Sequence, residues 1–261
     1  MPNEVQTLSN NYKISLVIPI YNEAQHLEKF LKTIDDINFE IPKELVFIDD
    51  KSTDTSLNTL KTYQFKSEYK IIEQAHNQGK GAALRVGIQH ATGNFIGIQD
   101  ADFEYSPSDI HSILSLLVND KADVVFGSRF KKNVLQVHRT FHYIVNRFLT
   151  GFSNLVSGLY LTDMETCYKF FKAEIIKNIN LESNRFGFEP EITAKIARLK
   201  VRVCEVPISY FPRNYLEGKK ITWKDGIAAL RHIFYFNFCN RKFFFKSDMP
   251  SFYIPKDRNL L

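Results

Sequence analysis

Three carboxylates spaced by two, Asp100, Asp102 and Glu104, follow the apolar run NFIGIQ (94–99). At an extended strand end alternate side chains point the same way, so such a set can converge. Hard oxygen donors without His or Cys suit Mg²⁺ or Mn²⁺, and a divalent ion held there can neutralise a diphosphate leaving group. An isolated D-x-D is otherwise a solvated acidic turn. Its place behind an apolar strand, with Gln99 before it and Pro107 soon after, favours the metal reading. Asp49 and Asp50 end a second apolar run, ELVFID (44–49), where a carboxylate can accept hydrogen bonds from a base or ribose, or simply form a turn ahead of Ser52. Gly79-Lys80-Gly81 opens a helical pattern. Glycine lets a backbone approach a ligand, and a helix start attracts anions, although neither the Walker nor the dinucleotide spacing is present. Arg129 follows another strand, with Arg139 and Arg147 nearby, and Arg is well shaped for bidentate phosphate contacts. Arg213, Lys219 and Lys220 surround Glu217-Gly218 in a basic loop that could cover a diphosphate or simply be solvated.

These residues need a frame. ISLVIPI (14–20), ELVFID (44–49), YKIIE (69–73), NFIGIQ (94–99) and ADVVFG (122–127) are apolar, β-branched runs. Between them, Glu23 to Ile37, Thr55 to Tyr63, Gly81 to Ala91 and Pro107 to Val118 show helical spacing. Apolar strands alternating with helices predict a mostly parallel sheet covered on both faces. Ligands of such sheets bind beyond the strand C-terminal ends, where the polar and glycine residues gather. The second half is less regular: a helix from about His138 to Ser157, a strand at CYKFFK (167–172), a helix from Phe188 to Leu199, a strand at VRVCEVPIS (201–209) and an amphipathic helix from Trp223 to about Asn240. The expected organisation is a disordered tail at 1–12, one domain at 13–240 with a nucleotide-sugar half (13–130) and an acceptor half (131–240), and an aromatic, basic tail at 241–261.

The 261 residues allow one large α/β domain, and a hydrophobic share of 44% allows a sizeable core. Lys plus Arg, 34, against Asp plus Glu, 29, leaves +5, which fits an anionic ligand or membrane face as well as an ordinary soluble protein. Cys167, Cys204 and Cys239 show neither metal spacing nor a disulfide framework, which points to a reducing cytosol. The N-terminus lacks an apolar signal core, and no uncharged apolar run is long enough to span a bilayer. Phe141 to Leu161 and Ala228 to Phe245 read as buried or interfacial helices. In the first, Phe141, Val145, Phe148, Phe152 and Leu155 form a stripe. In the second, Phe234, Phe236, Phe238 and Phe243 to Phe245 stand beside Arg231, Arg241 and Lys242, a pattern suited to a headgroup boundary.

VIPIYNE (17–23), IDDKSTD (48–54), NQGKGAALRVG (77–87), QDADFEYSP (99–107), GSRF (127–130), LTDMETCYK (161–169), RFGFEPEI (185–192) and EGKKITWKDG (217–226) together resemble the family-2 glycosyltransferases, and within them the dolichyl-phosphate mannose or glucose synthases. The resemblance covers nearly the whole chain and implies a GT-A-type nucleotide-sugar domain. It implies that Pro19, Tyr21, Glu23 and Asp50 contact the nucleoside, with Lys80, Asp100, Ala101 and Asp102 completing the donor site. It gives the metal, Mg²⁺ or Mn²⁺, to Asp100, Asp102 and Glu104. Arg213 and Lys220 would cover the diphosphate, and Arg129 and Arg139 would bind the acceptor phosphate.

The reaction expected is a single in-line displacement at the anomeric carbon, with inversion. Asp102 and Arg129 would stabilise it. A phosphate monoester has a second pKa near ~6 and needs little help from a base; a sugar hydroxyl would need one, for which Asp163 and Glu191 are the candidates. The expected partners are a nucleotide-diphosphate sugar, a polyprenyl phosphate and a membrane surface contacted peripherally, at the inner face from the cytoplasm. GDP-mannose and UDP-glucose both suit, and UDP-N-acetylglucosamine stays open. The alternatives are a soluble transferase adding a sugar to a saccharide, and a nucleotide-binding module without catalysis. A nucleic-acid binder would leave the acidic strand ends unexplained.

Overall fold

The computed structural model describes residues 12–131, 140–212, 223–239 and 244–255. The chain order is β1 (Ile14–Ile20), α1 (Ala24–Asp36), β2 (Lys43–Asp49), α2 (Ser56–Thr62), β3 (Glu68–Glu73), α3 (Lys80–His90), β4 (Phe95–Ile98), α4 (Ile110–Val118), β5 (Val124–Ser128), α5 (Thr140–Ser157), β6 (Lys169–Lys172), α6 (Ala173–Ile176), α7 (Phe188–Ile196), β7 (Val203–Pro207) and α8 (Trp223–Phe234). The strands form one seven-stranded sheet in the order β3-β2-β1-β4-β6-β5-β7. All neighbours pair in parallel except β6, which runs antiparallel between β4 and β5.

The continuous apolar runs are explained by burial on both faces. In β1, Val17 packs with α3, α5, α7 and α8, through residues such as Leu84, Leu149, Ile192 and Ile233. Its neighbours Leu16 and Ile18 face α1, α2 and α4, through Phe30, Leu60 and Ile113. An alternating strand would have left one face to water. The edge strand β3 does carry exposed positions, among them Glu68 and Tyr69, as an edge open to solvent should.

The C-terminal part differs from expectation. Met249 and Tyr253 are buried in the main core, and Ile179 bridges to Phe245. Phe236 and Phe244 form a small buried cluster with Ala194, with Lys195 Nζ 5.0 and 4.9 Å from their ring centroids. The described part of the expected tail, 244–255, is therefore packed onto the domain. Phe236 and Phe244 are accommodated beside charge because both rings lie near the Lys195 ammonium of α7; Arg241, Lys242 and Phe243 lie outside the described residues.

Candidate active site

Asp50 and Asp102 follow β2 and β4, which flank β1 in parallel, so both lie at one sheet edge. The β1 loop is laced to the β2 loop: Asn22 Oδ1 accepts the Thr53 N–H at 2.8 Å and Asp54 Oδ2 accepts the Ala24 N–H at 3.1 Å, capping α1. Pro19, Tyr21 and Glu23 are half-buried along this edge. Asp50 is 3% exposed, and its carboxylate accepts the Gln78 and Gly79 N–H groups at 2.8 and 2.7 Å and the Gln74 side chain at 2.6 Å. It thereby orders the loop that delivers Lys80.

The two glycines beside Lys80 have a reason other than the one their sequence suggests. Gly79 has φ +96°, and a Cβ there would lie 2.5 Å from the Asn184 carbonyl oxygen; at Gly81 it would lie 2.3 Å from that of Ser183. The close approach they permit is by the 183–185 backbone, and the Ala82 N–H donates to Asn184 O at 3.1 Å. The start of α3 is thus covered by protein, and the anion-binding reading of this loop gives way to a packing one.

Lys80 Nζ sits 3.0 Å from Asp100, 2.8 Å from Cys167 Sγ and 3.4 Å from Glu189 Oε1. Burial opposes its charge, but Asp100, Cys167 and Glu189 hold the ammonium protonated well beyond its ordinary range. Burial also pushes the Cys167 thiol up. Ala101 is buried between the two aspartates.

The expected convergence of three carboxylates is not present. Asp102 Oδ1 accepts the Glu104 N–H at 3.1 Å, while Glu104 Oε2 accepts the Tyr210 hydroxyl at 3.0 Å. Among the described residues no group of three His, Cys, Asp or Glu stands ready to hold a metal. The backbone turns after Asp102, with Phe103 at φ +58°, so Glu104 is carried off toward the Tyr105–Tyr210 bridge. The donor set that remains, Asp100 and Asp102, is still suited to Mg²⁺ or Mn²⁺, which are commonly bound by one or two carboxylates with substrate phosphates completing the shell.

Arg129, after β5, forms a bidentate pair with Asp163: Nε and Nη2 each donate at 2.7 Å, and the Arg129 N–H donates to the same carboxylate at 3.0 Å. Asp163 is wholly buried. The guanidinium also lies 5.2 Å from the Tyr210 ring centroid. Arg147 donates to Thr162 O. Arg139, Arg213 and Lys220 lie outside the described residues.

Neither candidate base is placed to act as one. Glu191 is wholly buried, accepts the Glu182 and Ser183 N–H groups at 2.7 and 2.8 Å, and pairs with Lys195 at 2.6 Å. It fixes the 182–185 segment that presses on Gly79 and Gly81. Asp163 is committed to Arg129. The residue facing the cleft is Glu189, two positions before Glu191 and hence on the opposite side of α7. Lys195, four residues after Glu191, was the signal that Glu191 is the inward, paired carboxylate.

Sequence reasoning also missed Glu165. Its Oε1 is buried with no hydrogen-bond partner, and burial, then Glu189, raise its pKa from 4.5 to about 7. Because that value exceeds the unfolded one, the native state holds a proton between about pH 4.5 and 7 that the unfolded chain releases. Stability contributed by this group is therefore lost as pH rises through that window. Glu165→Gln is expected to stabilise the protein by about 2–3 kcal/mol at pH 8 and by much less at pH 5. Denaturant melts at the two pH values check this; an equal effect at both would refute it.

With this geometry in place, comparison with known proteins defines the class. The profile of Glycosyl transferase family 2 matches residues 15–179, and the chain belongs to that family. Among curated relatives, it is 30% identical over 226 residues to the dolichyl-phosphate beta-glucosyltransferase ALG5D of Trichomonas vaginalis, covering 80% of this chain and 68% of that one. It is 29% identical to the dodecaprenyl-phosphate galacturonate synthase of Rhizobium johnstonii (78% and 60% covered). It is 26% identical to the dolichol-phosphate mannosyltransferase of Pyrococcus furiosus (85% and 63% covered). The chain thus spans about three fifths to two thirds of these relatives' lengths. In fold it is similar to glucosyl-3-phosphoglycerate synthase from Mycobacterium tuberculosis, solved with Mn²⁺, UDP and phosphoglyceric acid: TM-score 0.67, 15% identity, 93% of this chain and 84% of that one. TarS of S. aureus, solved with UDP-GlcNAc, gives a TM-score of 0.56 at 17% identity, with 85% and 65% covered. The fold is of the GT-A glycosyltransferase type.

Proposed function

We propose that this glycosyltransferase moves a hexose from a nucleotide-diphosphate sugar to a polyprenyl phosphate, working at a membrane surface. One observation carries the reading. Lys80, paired with Asp100, and Arg129, paired with Asp163, meet the two ends of the 163–167 turn, and α5 and α8 pack together with exposed apolar side chains.

On the donor side, the edge built by Pro19, Tyr21, Glu23 and Asp50 receives the nucleoside, and Lys80 adds positive charge beside the diphosphate. A Mg²⁺ or Mn²⁺ held by Asp100 and Asp102 would supply further charge neutralisation to the leaving diphosphate. On the acceptor side, Arg129 is held rigid by Asp163, and its Nη1, which has no hydrogen-bond partner among the described residues, is the donor toward the lipid phosphate. The acceptor dianion attacks the anomeric carbon and the nucleoside diphosphate departs on the opposite face, with inversion. No buried carboxylate needs to act as base, in keeping with the commitments of Glu191 and Asp163. Orientation and charge stabilisation supply the rate.

The stripe expected from sequence divides: Val145 and Phe152, with Leu149 and Val156, turn inward onto the core, whereas Phe148 and Leu155 face out, and the Phe141 side chain lies outside the described residues. Ile144, Phe148 and Leu155, about a quarter-turn away, are 58%, 60% and 81% exposed. On α8 and the turn after it, Ile227, Phe234 and Phe238 are exposed, with Arg231 on the same face as Ile227 and Phe234. Exposed rings beside a cation suit an anionic headgroup boundary. Among the described residues no helix is long and apolar enough to cross a membrane.

Purified protein with Mn²⁺, dolichyl phosphate or a short water-soluble phosphate, and radiolabelled GDP-mannose or UDP-glucose tests the proposal. Labelled lipid is the expected product. Phe148→Ser with Leu155→Ser is expected to weaken liposome flotation about tenfold and to slow transfer to the long-chain acceptor more than to the soluble one. Transfer only to a saccharide would replace the lipid-phosphate reading with the polysaccharide one; equal loss on both phosphates would make the surface structural.

A further inference from the structure

The turn from Asp163 to Cys167 connects the two sides of the cleft. At one end Asp163 holds Arg129. At the other, Cys167 Sγ lies 2.8 Å from Lys80 Nζ and 3.6 Å from Glu189 Oε1. Glu165 is midway. An in-line displacement places the acceptor oxygen, the anomeric carbon and the leaving oxygen along one line, so a group between the acceptor's arginine and the donor's lysine faces the transferred sugar.

Glu165 has the chemistry for that position. Its Oε1 is buried without a hydrogen-bond partner. Buried polar atoms are rarely left so, and one facing a cleft can be matched by a ligand's hydroxyl. The charges that act on it are Glu189, Arg129, Lys169 and Asp163. The cations among them have other commitments: Arg129 holds Asp163 and, in the proposed reaction, the acceptor phosphate, and Lys169 meets the Met164 carbonyl at 2.8 Å and the Phe126 ring. Lys80, nearest to Glu189, is matched by Asp100. Among the described residues no further cation is offered to an additional carboxylate on the sugar.

We infer that Glu165, with Glu189 beside it, reads the hydroxyls of the transferred sugar and restricts the donor to neutral hexoses, rejecting hexuronic acids. The inference rests on the donor and acceptor sides assigned above. The question is open within the family, because the relatives include both a beta-glucosyltransferase and a galacturonate synthase. A carboxylate brought beside two others in a half-dry cleft meets like-charge repulsion without compensation, whereas hydroxyls offer both oxygens donors.

The test uses the whole chain with Mn²⁺ and matched donor pairs, GDP-mannose with GDP-mannuronate and UDP-glucose with UDP-glucuronate. Calorimetric binding of each, and of UDP and GDP alone, is measured beside kcat/KM with dolichyl phosphate. For the nucleotide that binds, the neutral sugar is expected to be preferred about a hundredfold or more in kcat/KM. Glu165→Gln is expected to lower kcat/KM for the neutral hexose about tenfold or more, to narrow the neutral-to-uronate ratio, and to leave nucleoside-diphosphate binding within about twofold. Equal use of the uronate by the unaltered protein, or an unchanged ratio in Glu165→Gln, overturns the inference while the proposed function stands. Absence of nucleotide binding and of transfer to any lipid phosphate removes the proposed function, and this inference with it.

Discussion

Exchanging Asp102 for Asn is expected to lower kcat/KM for sugar transfer about a thousandfold, the scale on which loss of one preorganised electrostatic contact acts. Asn keeps an acceptor oxygen for the Glu104 N–H that Asp102 now binds at 3.1 Å, so the turn into Phe103 is preserved. Stability should change by less than about 1 kcal/mol. What disappears is a negative charge at the edge of β4, beside Asp100, whose own charge is already matched by Lys80. Asp102 is the second carboxylate of the pair proposed to hold the divalent ion. Three measurements separate the explanations: kcat/KM, a thermal melt, and Mn²⁺ titration followed by electron paramagnetic resonance. Lost transfer with an unchanged melt and weakened Mn²⁺ binding supports the assignment. Full activity in the variant, or in the unaltered protein with EDTA, refutes it. Glu104→Gln, with its carboxylate turned to Tyr210, is expected to cost far less.

What the sequence made legible follows the range of the forces involved. Strand and helix positions in the first half are set by short apolar periods and by turn residues behind each strand. ISLVIPI is a strand over Ile14–Ile20, as read, and Lys80–His90 is a helix within a residue of expectation. The edge on which chemistry would gather follows from parallel pairing alone. Commitments made across the fold were not legible. Asp50 turns to the loop before α3 because Gln78 and Gly79 present N–H groups there. Gly79 and Gly81 answer to the 183–185 backbone, a hundred residues away in sequence. Glu104 leaves the acidic cluster because a single left-handed residue, Phe103, redirects the chain. Glu165 drew no notice because a lone carboxylate in a polar stretch carries no period; only its unpartnered oxygen marks it.

Asp163→Ala is expected to destabilise the protein by about 3–5 kcal/mol, the usual consequence of leaving one member of a buried ion pair alone. Asp163 is wholly buried and takes three donors from Arg129, its backbone N–H and two guanidinium nitrogens, at 3.0, 2.7 and 2.7 Å. Without it the guanidinium keeps its charge, since arginine does not deprotonate in proteins, and, with its side chain only 12% exposed, water replaces the carboxylate in part at most. The Tyr210 ring at 5.2 Å offers only partial compensation. Arg129→Met alone leaves the opposite charge unpaired and should also destabilise. The double variant, Asp163→Ala with Arg129→Met, removes both charges, so it should recover about 2 kcal/mol or more relative to the sum of the single changes. Transfer to the lipid phosphate should nevertheless stay lost in it, because stability and phosphate binding draw on different nitrogens of the same side chain. Urea melts of the four proteins give the coupling free energy, and kcat/KM with dolichyl phosphate gives the function. Additive stabilities would show that the pair is not mutually dependent. Restored transfer in the double variant would take Arg129 out of the acceptor site.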